Sequence, residues 1–208
     1  YKPRAPEHDT SVTGWALSAL AAASAAGLRV DPDVFRELED YFEEVTDERY
    51  SRVGYTGKED AGLKITVPGK NENYINHDTM TAIGIFAEVL LDNRAGSPRL
   101  GFQVEMVGQD LPRWDKVHLT NDYYYWYYGT SALLAWGIPE DPDRKRWERW
   151  NAALIKALVD NQGTTGCSAG SWDADDRWSF EGGRVYATAI NVLTLESYYR
   201  VPALLDAK

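Results

Sequence analysis

An all-α protein built from helical hairpins is the fold class this sequence predicts, and three observations carry it. Apolar residues recur at i, i+3, i+4 and i+7 through most of the chain. Segments that are apolar almost all round alternate with segments whose second face is charged, as inner and outer helices of a layered fold should. A hydroxyl or phenol, a spacer and a Thr recur in the first turns of successive apolar segments: Ser11-Val12-Thr13, Thr79-Met80-Thr81, Tyr128-Gly129-Thr130 and Tyr186-Ala187-Thr188. The steps between them are irregular, so loops must absorb the difference.

Residues 9–28 carry Val12, Trp15, Ala16, Ala19, Leu20 and Ala23 on one helical stripe, after the N-cap candidates Asp9, Thr10 and Ser11 and before Gly27. Beyond the turn at Asp31-Pro32-Asp33, an outer helix follows through Val34, Phe35, Leu38, Tyr41, Phe42 and Val45. Its opposite face, with Arg36, Glu37, Glu39, Asp40, Glu43 and Glu44, reads as solvated. Residues 50–74, rich in Gly, Lys and Asn, predict a long loop with a short strand-like turn near Leu63 to Val67.

The pairing repeats from His77 to Leu91, apolar all round, with a shorter helix within Leu100 to Trp114. A third pair joins the aromatic helix Asp122 to Trp136 to an outer partner from Arg144 to Asn161, whose stripe holds Trp147, Trp150, Leu154 and Leu158. A fourth buried helix spans about Gly183 to Tyr199.

The 208 residues suffice for one domain, 1–208, with a sizeable core. No apolar run approaches the roughly 20 residues of a membrane span. A net charge of −10 argues against a nucleic-acid phosphate surface, which rewards clustered Lys and Arg. Cys167 is the single cysteine, so neither an internal disulfide nor a cysteine-based zinc cluster can form.

Asn161-Gln162 followed by Gly170-Ser171-Trp172 is similar to the Gln-and-Trp repeat of squalene and triterpene cyclases, with a longer step from Gln to Gly. Together with the runs from Asp9 to Leu17, Tyr124 to Thr130 and Gly182 to Thr188, the chain resembles bacterial prenyltransferase and squalene-oxidase repeat proteins over nearly its whole length. The resemblance implies an α/α toroid of concentric inner and outer helices. A full ring takes about six hairpins, whereas about 45 residues per hairpin leaves this chain an incomplete ring of about four, the rest expected ahead of Tyr1.

The same resemblance implies which chemistry is lost. Asp173-Ala174-Asp175-Asp176 has the letters of the cyclase acid motif, but it sits in a loop before Arg177-Trp178 rather than opening an inner helix, and reads as structural or solvent-facing. The motif's place is taken by Glu7-His8-Asp9-Thr10, with His8 where the protonating aspartate would stand. Histidine is too weak an acid to protonate an unactivated alkene near neutral pH. The zinc set of protein prenyltransferases is broken as well, with Tyr124 in place of the Cys and Ala187 in place of the His. No cofactor or metal is expected.

If the inner helices run parallel, their N-terminal ends gather His8, Asp9, His77, Asp78, Asp122 and Arg184 at one mouth. Two readings stand: the aspartates cap helices and complement their dipoles, or His-Asp pairs serve as general acid and base. Trp15, Tyr124, Trp126, Tyr128 and Tyr186 likewise either pack the core or wall a ligand site for a hydrophobic isoprenoid-like molecule or a carbohydrate. The expected function is a binding or scaffold module, which could also take a protein partner. A terpenoid cyclase-like or carbohydrate-active enzyme is the alternative.

Overall fold

The computed structural model describes residues 8–91, 98–140 and 145–206, and of 138–140 only the backbone. Among these residues seven α-helices form: α1 Thr10–Ala25, α2 Pro32–Glu44, α3 Thr79–Leu90, α4 Pro98–Gln109, α5 Tyr123–Glu140, α6 Lys145–Val159 and α7 Ser179–Asp206. The described residues hold no β-strand; an isolated bridge joins Thr46 to Val53, and none forms at the strand-like turn expected near Leu63 to Val67. Glu7 and Arg144, used in the sequence reading, lie outside the described residues.

Helices α1, α3, α5 and α7 pack neighbour against neighbour, with α5 most extensively joined to α3 and α7, while α2, α4 and α6 cover the outside. This is the predicted alternation. Helix α2 begins at Pro32 behind the Asp31 cap and buries Phe42 while its acids face solvent. Helix α3 is buried along almost its whole length, which its all-round apolar sequence requires. Three hairpins result rather than four, because α7 has no outer partner among the described residues.

The recurrent threonines share a physical role. Thr81 Oγ1 accepts from Val53 N at 3.1 Å, Thr130 Oγ1 from Trp150 Nε1 at 2.9 Å, and Thr188 Oγ1 from Trp172 N at 3.3 Å. Each ties an inner helix to the element beside it. Thr13 instead bonds back to Asp9 O within its own turn. The Gln-and-Trp segment is internally bonded too: Gln162 Nε2 donates to Gly170 O, and buried Trp172 donates Nε1–H to the Leu158 carbonyl at the end of α6.

Two expectations fail on helix phase. The stripe predicted as the buried face of α1 lies on its open side, with Val12, Trp15, Ala16 and Ala19 exposed; the buried face carries Thr10, Gly14 and Leu17. Gly14 decides this, since a Cβ there would stand 2.6 Å from Ile83 Cγ2, so only a glycine lets α1 approach α3 so closely. Helix α7 is half open rather than buried, with Val185 and Tyr199 over 80% exposed. It also runs past the expected end at Tyr199 and through Pro202, held by buried Val201 and by Leu204 and Leu205 against the core. Gly183, at φ 56°, separates its opening turn from the main helix.

Gly129 on α5 carries a tight helix-to-helix approach, with the fully buried Trp150 ring 2.5 Å from where its Cβ would be. Gly129→Ala should therefore lose about 1–2 kcal/mol in urea unfolding, because overpacking of about 1–3 kcal/mol outweighs a helix-propensity gain of at most about 1 kcal/mol. An unchanged or higher midpoint would mean that Trp150 retreats freely.

Candidate functional site

The N-terminal ends of the four inner helices converge on a cavity of about 750 Å³. Ser11 of α1, Thr79 and Met80 of α3, Tyr124 of α5, and Phe180 and Tyr186 of α7 all line it, so the inner helices begin at one end, as expected. The opposite wall is the loop between α2 and α3, through Val53, Tyr55, Leu63, Ile65, Val67 and Asn76.

Specific bonds hold that loop in place. Tyr55 O accepts from Thr10 N at 3.0 Å, and Tyr55 Oη donates to Asp9 Oδ2 at 2.6 Å. Asp60 receives the backbone N–H groups of Tyr55 and Thr56. The deepest tie is Arg177, whose side chain is 2% exposed: Nη1 donates to Asn76 Oδ1 at 3.1 Å and Nη2 to the Ile65 carbonyl. One guanidinium thereby joins the start of α7 to two points of a loop some hundred residues earlier.

A carboxylate stands at each helix start. Asp9 caps α1 by accepting from Val12 N, and Asp122 caps α5 by accepting from Tyr125 N at 3.0 Å. Asp78 precedes α3 without a side-chain cap bond and pairs with Arg52 at 3.4 Å. Ahead of α7, Asp176 accepts from Ser179 Oγ and from Tyr123 N of α5 at 3.3 Å, linking the two helix starts. Burial raises Asp78 and Asp122 above the usual carboxylate range, with the Arg52 charge opposing it at Asp78 and the His77 and Arg177 charges at Asp122. Burial pushes Asp176 up to about 7, despite the Ser179 bond. Of the two roles expected for this loop's acids, structural or solvent-facing, Asp176 takes the structural one.

His77 is stacked on Tyr125 with ring centroids 4.7 Å apart. Its Nδ1 lies 2.6 Å from Asp110 Oδ2 and its Nε2 3.1 Å from the Thr120 carbonyl. A carbonyl only accepts, so Nε2 carries a proton and donates, while Nδ1 donates to Asp110 when the ring is protonated. Burial opposes that charge, but the Asp110 bond and the Asp122 and Asp110 charges outweigh it and raise the pKa. Both ring nitrogens of His77 are thus engaged, one with the Asp110 carboxylate and one with the Thr120 carbonyl.

The predicted residues therefore divide. His77, Asp78, Tyr124 and Tyr186 line the cavity, and Asp9 touches it through Tyr55. Trp126 and Tyr128 are fully buried core, and Asp122 lies behind the lining. His8 is exposed beside Tyr41, Trp15 stacks on Tyr127 at 5.2 Å, and Arg184 pairs with Asp173; none of the three lines the cavity. No protein-family model, curated protein or solved structure matches this chain. The site is thus read from its geometry.

Sequence reasoning missed Leu63, Ile65 and Val67 on the loop, Arg177 and Trp178 before α7, and Phe180 in its first turn. The aliphatic residues of a loop otherwise rich in Gly, Lys and Asn were the available signal. Tyr124 shares a 2.5 Å hydrogen bond with Ser11, and burial, opposed by that bond, pushes its phenol up to about 12, so it stays neutral. Burial likewise raises Tyr186 well above its ordinary value.

His77 and Asp176 both hold their protons more tightly folded than unfolded, so each contributes stability at low pH that is lost as pH rises. For Asp176 the loss runs from the ordinary aspartate range to about 7; for His77 it begins near its ordinary value of about 6.5 and continues above it. Unfolding free energy from urea titrations should accordingly fall between about pH 5 and pH 8. A flat or rising profile across that window would contradict the buried protonation states.

Proposed function

We propose that this chain is a helical-repeat module of the prenyltransferase and squalene-cyclase-like type that binds a mainly apolar small ligand in the mouth cavity. The observation that carries the proposal is the lining: Met80, Ile65, Val53 and the rings of Tyr124, Trp178 and Tyr186 enclose a space of ligand size. Leu63 and Val67 border it while 64% and 38% exposed. Aliphatic side chains left in water beside an apolar cavity gain when a ligand covers them, at about 25 cal/mol per Å².

The alternation of α1/α2, α3/α4 and α5/α6 and the parallel inner helices support the α/α-toroid assignment. Binding is favoured over acid–base catalysis because His77 has both nitrogens engaged and His8 lies away from the cavity. Asp9 and Asp122 serve the capping role, and Asp78 stands beside the start of α3 without a cap bond.

A neutral apolar fluorophore, N-phenyl-1-naphthylamine, should bind saturably with one site per chain, read as enhanced emission. Met80→Trp, which fills the cavity, should abolish that site while leaving the far-ultraviolet circular dichroism unchanged. Non-saturating binding, or equal binding by the variant, would rule the cavity out as the site.

A further inference from the structure

We infer that the cavity selects a ligand whose apolar body ends in a cation of ammonium type, rather than in a phosphate, sulfate or carboxylate. The inference rests on the cavity-binding reading and adds the chemistry of the ligand's polar end. Five charged side chains line the cavity: Asp60, His77, Asp78, Arg177 and Glu181. What matters to a ligand is which of them present charge to the space.

The two cations do not. The Arg177 side chain is 2% exposed, bonded to Asn76 and Ile65 and 4.0 Å from Asp122; the His77 side chain is 5% exposed and held between Asp110 and Thr120. Both charges are enclosed and matched by buried or adjacent carboxylates. The accessible charge on the lining is negative. Asp78 keeps 21% of its side chain exposed against a single Arg52 contact, Asp60 accepts from neutral donors, and Glu181 is exposed and forms no ion pair among the described residues.

The aromatic part of the lining points the same way. Tyr186 Oη and Trp178 Nε1 are enclosed by protein without hydrogen-bond partners, so these residues add carbon, not polar atoms, to the cavity surface. Aromatic carbon beside carboxylates attracts cations and repels anions, through ring quadrupole and charge alike. The rim already holds one such contact: Lys70 Nζ stands 5.8 Å from the centre of the Phe180 ring. A phosphate or sulfate head would meet Glu181, Asp60 and Asp78, while the nearby cations Arg52 and Lys70 are engaged by Asp78 and the Phe180 ring.

The test is isothermal titration of the intact chain with three probes of equal chain length: octyltrimethylammonium, 1-octanol and octyl sulfate, each below its micelle concentration. The ammonium probe should bind at one site at least about fivefold more tightly than octyl sulfate, with octanol between them. Glu181→Gln should narrow the ammonium-to-sulfate ratio about twofold to threefold, and Met80→Trp should remove the site. Octyl sulfate binding as tightly as the ammonium probe overturns the charge preference while leaving the cavity reading intact. An ammonium excess that survives in Met80→Trp is adsorption to the acidic surface and also overturns it. If none of the three probes binds, the cavity reading itself fails and this inference with it.

Discussion

Four inner helices start at the same end of this molecule, and the partial positive charges of their N-termini have to be matched there. Asp9, Asp78, Asp122 and Asp176 do so, one beside each helix start. Parallel packing of the inner helices thus forces carboxylates together, and Asp122 and Asp176 are taken almost entirely out of water. Buried carboxylates need cations or protons. Arg177 and His77 supply the first, and the raised pKa of Asp176 shows where the second comes in.

The same balance shapes the cavity. Arg177 compensates Asp122 while its guanidinium grips the Ile65 carbonyl and Asn76, so neutralising the helix starts also fixes the loop wall. With the cations spent inside the protein, the cavity surface keeps aliphatic and aromatic carbon and the carboxylates near its rim. Side chains that resemble catalytic residues in the sequence thus also hold structural bonds. His77 is the clearest case, a ring with a partner already in place at each nitrogen.

Much of this was legible in the residues. Helix positions follow from local periodicity, and the aspartates at 9, 78 and 122 stand where N-cap chemistry expects them. The recurring Thr marked a shared role that three of the four members fulfil by accepting an N–H from an adjacent element. Asp176 was not legible as a buried acid, since its neighbours Asp173 and Asp175 are at least a third exposed and nothing in the run Asp-Ala-Asp-Asp distinguishes the third acid.

By itself, then, the sequence determined an all-α chain of alternating apolar and amphipathic helices with acidic starts, because these depend on spacing within a few turns. Tertiary structure alone decided which face of α1 is buried. A helix apolar all round has no preferred phase, and the close approach of Gly14 to Ile83 and Tyr128 selects one. It also decided the cavity, whose walls come from residues 53–80 and 177–186, and the partners of Arg177, which lie some hundred positions away. Contacts at that range depend on how the helices pack, which no local spacing encodes.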